Sequence, residues 1–210
     1  GLLDASVDVS SLFLPKDKLV VYIQGRKKED RKDFLSTGTG PRKYPVVVLV
    51  NAGSASASEI VAGALQDQRR AVIIGTQTFG KGSVQTVFPL DGGTGIRLTT
   101  AKYYTPNGRS IQNVGITPDI EIKFPAIKDV KSSDAAHVIL REKDLERHLK
   151  NETVTEQGKD KKKDHTADDD FVMETLPKSD KEDIQLQKAI ELLKTDDIFK
   201  NIPISVKKEK

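Results

Sequence analysis

The chain has 210 residues, with 34 Lys and Arg against 31 Asp and Glu, for a formal charge of +3. Charges of both signs are interspersed, which gives no general basis for nucleic-acid binding, and no apolar run approaches the roughly 20 residues that span a bilayer. Cysteine is absent, which excludes disulfides, thiolate metal sites and cysteine nucleophiles. The length suits one domain with a real core plus extra segments.

The stretch GLLDASVDVSSLFLP, residues 1–15, opens inside an apolar helical pattern. Leu3, Val7 and Leu14 form one ridge, and Leu2, Val9 and Phe13 its neighbour. Because the chain opens inside this pattern, an N-terminal part of the parent protein is expected to lie outside this sequence; no signal-peptide pattern is visible at Gly1. Residues 19–23, LVVYI, predict a strand, and residues 25–43 a charged connection broken by Gly and Pro. PVVVLVN, 45–51, is a continuous valine-rich run, the pattern of a strand buried on both faces. SASASEIVAGALQDQRR predicts a helix and AVIIG another buried strand. Strand, helix, strand in about 30 residues indicates a parallel crossover unit. SVQTVFPL and GIRLTTAKYY predict two strands joined by the turn DGGTG, and DIEIKF, 119–124, alternates like a last strand. The core is therefore α/β, helices packed on a sheet, spanning 1–124.

Beyond residue 124 the composition becomes polar. Residues 125–150 are expected to hold a connection and an amphipathic helix with Val138, Leu145 and Leu149 on one stripe. Residues 151–179 have almost no apolar content and predict a flexible charged linker. Residues 180–210 predict a second amphipathic helix, with Ile184, Ala189, Leu192 and Leu193 available for burial, and a tail. The two helices could mediate a homodimer or pack back on their own core.

The stretch GTQTFGKGS, 75–83, is close to a phosphate-binding loop. Gly75, Gly80 and Lys81 fit, but residue 82 is Gly where a magnesium-binding hydroxyl is needed, and Ser83 comes one step late. A phosphate loop also opens a helix, whereas a strand follows here. Lys81 is then either a solvated surface lysine or a group with another chemical task; Gly80 and Gly82 let the backbone fold tightly around it.

NAGSASASEIVAGAL offers that task. A strand–turn–helix of small residues can present a nucleophile with little obstruction, and a helix N-terminus supplies free amides for an oxyanion. Ser54, Ser56 and Ser58 compete for the role. Ser56 with Glu59 three residues on also fits a capping box, and spacing alone does not separate cap from nucleophile. A serine needs a base to take its proton. The histidines, His137, His148 and His165, all lie in the polar C-terminal third, which leaves a lysine held neutral. In a parallel sheet the loops after PVVVLV and AVIIG lie side by side at the carboxyl edge, so the geometry allows a pair of Ser56 with Lys81. Glu59 is read as a cap in preference to a catalytic or supporting carboxylate, and Tyr103 and Tyr104 as packing or groove-lining residues. No cluster suggests a metal.

Four stretches, GLLDASVDVSSLFLP, GSASASEIVAGALQD, GTQTFGKGSVQ and TAKYYTPNGRSIQNVGITPDI, in order over residues 1–124, resemble the carboxyl-terminal processing peptidases, or tail-specific proteases. The resemblance implies a crotonase- or Clp-protease-like core with a C-terminal helical extension. It implies Ser56 as nucleophile, Lys81 as general base, Gln85 as the residue that orients the lysine, and oxyanion donors at Ala57 and Gly1. An offset of four places Gln85 on the face of Lys81 if the strand begins early enough. Asn113 stands where the family commonly has glycine. The resemblance further implies protein or peptide substrates bound near their C-termini, no cofactor, an upstream PDZ domain that this sequence lacks, and export to a periplasm or cell envelope. The competing expectations are a non-catalytic binding or dimerisation module and, more remotely, an acyl-CoA enzyme on a related fold.

Overall fold

The structure, a computed structural model, describes residues 1–38, 42–125, 136–138, 141–145, 149, 173–175, 177–195 and 197–200. Helix α1, Leu3–Ser11, is followed by strands β1, Leu19–Gln24, and β2, Lys32–Leu35. Strand β3, Val47–Val50, leads through helix α2, Ala57–Asp67, into β4, Val72–Gly75. The hairpin of β5, Ser83–Pro89, and β6, Gly95–Tyr104, comes next, then β7, Ile120–Glu121. Two short strands, β8, Ala136–Val138, and β9, Met173–Thr175, pair with each other, and helix α3, Ile184–Leu193, follows.

The expected α/β core forms, with its strands divided between two sheets. One is antiparallel in the order β2-β1-β6-β5, the other parallel in the order β3-β4-β7. The crossover β3-α2-β4 is the predicted one. The central strand β4 is buried along its whole length, as an interior parallel strand is. β3 departs from the expected two-sided burial: it is an edge strand, and Leu49 is 40% exposed. β2, inside the expected charged connection, pairs with β1, Lys32 opposite Ile23 and Leu35 opposite Leu19.

Leu14, Val20, Val21, Val50, Ile60, Leu65, Ile73, Ile111 and Ile116 build the main core, with Leu3 and Val7 packed against it. The predicted ridge of α1 therefore faces inward, while Leu2 and Val9 of the neighbouring ridge stay exposed. Ser6, Ser10 and Ser11 are buried on α1, and their hydroxyls return to carbonyls three or four residues earlier. Tyr103 packs on the core and Tyr104 stacks on Tyr22 with ring centroids 5.0 Å apart.

The second face of the parallel sheet carries α3. Val72, Ile74, Ala189 and Ile198 are buried together, with Val47, Ile120 and Leu192 packed around them. Asp183 caps α3 by accepting from Gln185 and Leu186 N–H, and the Gln185 amide donates to Ile122 O at 2.8 Å. This helix, expected as a dimerisation element or as part of its own core, covers its own sheet; Ile184 and Leu193 of the predicted stripe are exposed. The amphipathic helix expected within 125–150 is a correction. Residues 136–138 are a strand, Glu142–Asp144 is one 3-10 turn, and Leu145 is extended at φ −79, ψ 137. Asp144 turns back to accept from Arg141 N–H at 3.0 Å, and Glu142 N–H donates to Phe79 O at 3.0 Å. A tertiary acceptor thus takes an amide that a helix would have used. The linker expected at 151–179 lies outside the described residues up to 172, and 173–175 is strand.

Candidate active site

β3 and β4 run parallel from Val47 opposite Val72 to Val50 opposite Gly75, so they end level. The segments 51–56 and 76–82 leave this edge together. Thr76 N–H donates to Val50 O, and Phe79 N–H donates to Ser54 O, both at 3.0 Å. The expected neighbourhood of the two loops is therefore formed.

The backbone separates the three candidate serines. The Ser54 hydroxyl accepts from Asn51 N–H at 3.2 Å, and Ser58 is exposed on α2. Ser56, at the α2 N-cap, has φ 58 and ψ −115. An ordinary N-cap sits in the extended region; a non-glycine residue in this rarely populated region marks local strain of the kind found at functional sites. Both halves of a capping box are in place, Ser56 facing the Glu59 amide and Glu59 facing the Ser56 amide. Only the second closes, with Ser56 N–H donating to Glu59 Oε2 at 2.8 Å, and the Ser56 hydroxyl makes no capping hydrogen bond. A helix cap explains Glu59 but leaves the Ser56 hydroxyl unengaged.

Glu59 does far more than cap. It is fully buried, and its carboxylate accepts from four groups. Oε1 takes the Thr78 hydroxyl at 2.6 Å and Gly80 N–H at 2.7 Å; Oε2 takes Ser56 N–H and, at 3.0 Å, Lys81 N–H. One oxygen thus binds an amide from each loop. Burial pushes the Glu59 carboxyl above its usual range, opposed by the hydrogen bonds from Thr78, Gly80, Ser56 and Lys81.

The glycines around Lys81 are required by close approach. Gly80 has φ +96, and a Cβ on it would lie 3.0 Å from the Asn113 carbonyl carbon; a Cβ on Gly82 would lie 2.3 Å from the Gln112 nitrogen. Asn113 itself has φ 63, which accounts for glycine being suited to this position and for Asn serving there. Lys81 points to the exposed side of the loop, and among the described residues no hydrogen bond joins its ammonium to Ser56 or Gln85. Gln85 is exposed and pairs with Thr99. β5 begins two residues after Lys81, and its register shifts between Val84 and Gln85, so simple strand alternation does not carry from 81 to 85. Ala57 is the first residue of α2, where an N–H has no intrahelical acceptor. Gly1 lies beside it: a Cβ on Gly1 would stand 2.8 Å from the Ala57 Cβ. Sequence reasoning missed Thr78 and Gln112 and preferred a cap for Glu59 over a catalytic or supporting carboxylate; the bonds of Thr78 and Gln112 reach across more than 18 residues of chain, which spacing does not reveal.

Among the described residues no group of His, Asp and Glu is arranged to hold a metal ion, and no helix is long and apolar enough to cross a membrane. Peptidase family S41 matches residues 1–122. The chain belongs to that family. It is 47% identical over 195 residues to a carboxy-terminal-processing protease of Bartonella bacilliformis, covering 92% of this chain and 42% of that protein. It is 43% identical over 138 residues to a carboxyl-terminal-processing protease of Synechocystis, covering 66% and 32%. A solved structure of a photosystem II D1 C-terminal processing protease superposes with a TM-score of 0.54 at 40% identity, over 58% of this chain and 31% of that one. The chain thus spans less than half the length of these relatives.

Proposed function

We propose that this chain carries the catalytic core of a serine endopeptidase that cuts protein substrates near their C-termini through an acyl-enzyme. Ser56 is the nucleophile. Neutral Lys81 takes its proton as the hydroxyl attacks the scissile carbonyl, and the Ala57 N–H, with the backbone at Gly1 beside it, holds the oxyanion. Protonated Lys81 then gives its proton to the leaving amine; water attacks the ester, and the cycle reverses. Gln85 orients the lysine. By family resemblance the parent protein works in a periplasm or cell envelope, which fractionation of cells expressing it would check.

The observation that carries this reading is the shared oxygen of Glu59, which takes the amides of Ser56 and Lys81 together. The test is turnover of an unstructured peptide by the full-length protein. Ser56→Ala and Lys81→Ala should each lower kcat by about four orders of magnitude, and the double variant by no more, because such groups act as a unit. Near-normal cleavage by Lys81→Ala would remove the lysine from the mechanism.

A further inference from the structure

Lys81 is held on two sides. Gly80, Lys81 and Gly82 direct three consecutive N–H groups at the side chains of two buried residues. The first two go to Glu59, and Gly82 N–H donates to Gln112 Oε1 at 3.0 Å. Gln112 is fully buried, and the gap its backbone fills admits only glycine at 82. Asn113 N–H donates to Gly80 O at 2.9 Å, and Tyr103 N–H to Gly82 O at 2.7 Å, so the stretch on both sides of Lys81 is fixed to its neighbours while the lysine stem remains exposed.

The other end of the Gln112 amide faces the C-terminal region. Its Nε2 lies 2.9 Å from Asn113 Oδ1, 3.0 Å from Leu149 O and 3.3 Å from Glu142 Oε1. Glu142 is attached to the same loop a second time, through its N–H to Phe79 O. Residues 30 and 37 positions beyond Gln112 therefore meet the base loop through the buried amide, and Glu142 also through its own N–H. A buried amide with an acceptor on one side and donors on the other is directional: it transmits a displacement of one partner to the other, because leaving either end unpaired is costly.

We propose that Gln112 is a positioning residue for Lys81, and that through it Glu142 and Leu149 hold the base loop in its working geometry. This rests on Lys81 acting as the base. Peptide turnover by the full-length protein tests it, with kcat and KM resolved separately and kcat expressed per folded molecule. Gln112→Ala should lower kcat by at least about tenfold while KM changes by less than about twofold, since a small misplacement of a reacting group acts on the chemical step. Gln112→Glu keeps an acceptor for Gly82 but sets a second oxygen against Glu142 and the Leu149 carbonyl. Adding Glu142→Gln returns a donor there and should recover at least half of the lost kcat. Unchanged kcat in Gln112→Ala overturns the proposal. So does a loss fully accounted for by a smaller folded fraction, or a Gln112→Glu defect that Glu142→Gln leaves untouched. Lys81→Ala separates the two levels. If it retains turnover, the base assignment fails whatever Gln112 does; if it is inactive while Gln112→Ala turns over normally, only the positioning role fails.

Discussion

The two loops at the end of the parallel sheet are built by opposite means. The segment leading to Ser56 is held locally: Ser54 bonds back to Asn51, the helix starts at once, and the serine sits at φ 58, ψ −115. The segment carrying Lys81 has no regular structure of its own. Its amides go to Glu59 and Gln112, 22 and about 30 residues away in the chain. The Ser56 loop stores its geometry in its own backbone; the Lys81 loop borrows its geometry from buried side chains elsewhere. Mutations at distant positions should therefore disturb the lysine more readily than the serine.

Glu59→Gln probes that difference with the largest expected effect. Each carboxylate oxygen accepts two donors, so whichever oxygen becomes an amide nitrogen faces two donors with a third. The loops separate slightly, and kcat should fall by about 10²-fold. Stability should respond differently. The Glu59 carboxyl is raised above its ordinary 4.5 by burial, so the folded protein binds its proton more tightly than the unfolded chain. The stabilisation from the protonated form is complete below that ordinary value and is lost as pH rises through the folded pKa. Glutamine, permanently neutral, has no such loss. Calorimetry across this window should show the wild-type Tm falling relative to Glu59→Gln as pH rises from 4.5. A parallel decline in both would show that the carboxylate is not destabilised by its site.

The same local-versus-distant contrast decides what was legible in the sequence. The β3-α2-β4 unit was readable because its period and turn residues are contiguous, and so were the level strand ends that bring Ser56 and Lys81 into one neighbourhood. The N-cap position of Ser56 was readable from the Ser-x-x-Glu spacing, but its unusual φ and ψ were not, since a cap and a strained nucleophile share one sequence pattern. Thr78 and Gln112 carried no signal at all: a buried polar side chain shows its partners only when the chain is folded. The segment 136–145 misled for the same reason. Val138, Leu145 and Leu149 have helical spacing, yet Glu142 N–H is bound to Phe79 O, and that tertiary bond overrides the local pattern.

Gly82→Ala sharpens the Lys81 half of the comparison. The added Cβ would lie 2.3 Å from the Gln112 nitrogen and 2.9 Å from its Cα, both backbone atoms that cannot swing aside. Overpacking of this kind costs about 1–3 kcal/mol, and the hydrogen bond from Gly82 N–H to Gln112 lengthens as the two segments part. Chemical denaturation should show the loss, and kcat per folded molecule should fall with it. An alanine variant with wild-type stability and turnover would mean that the close approach does not govern the loop.

The Ser56 half yields the smallest effect and the cleanest sign. At φ 58 and ψ −115 a side chain is strained, whereas glycine adopts such a conformation freely. Ser56→Gly and Ser56→Ala both remove the hydroxyl and should both be inactive, so activity does not distinguish them. Stability does. Alanine keeps the Cβ and with it the strain. Glycine relieves the strain but gains freedom in the unfolded chain, and the two terms oppose each other. Strain at such a residue is of order 1–3 kcal/mol, against roughly 0.4–1 kcal/mol for the glycine entropy. The glycine variant should therefore be the more stable by about 1 kcal/mol in chemical denaturation. If alanine proved equal or better, the serine would not be held in a strained turn, and its loop would depend on distant partners as much as the lysine's does.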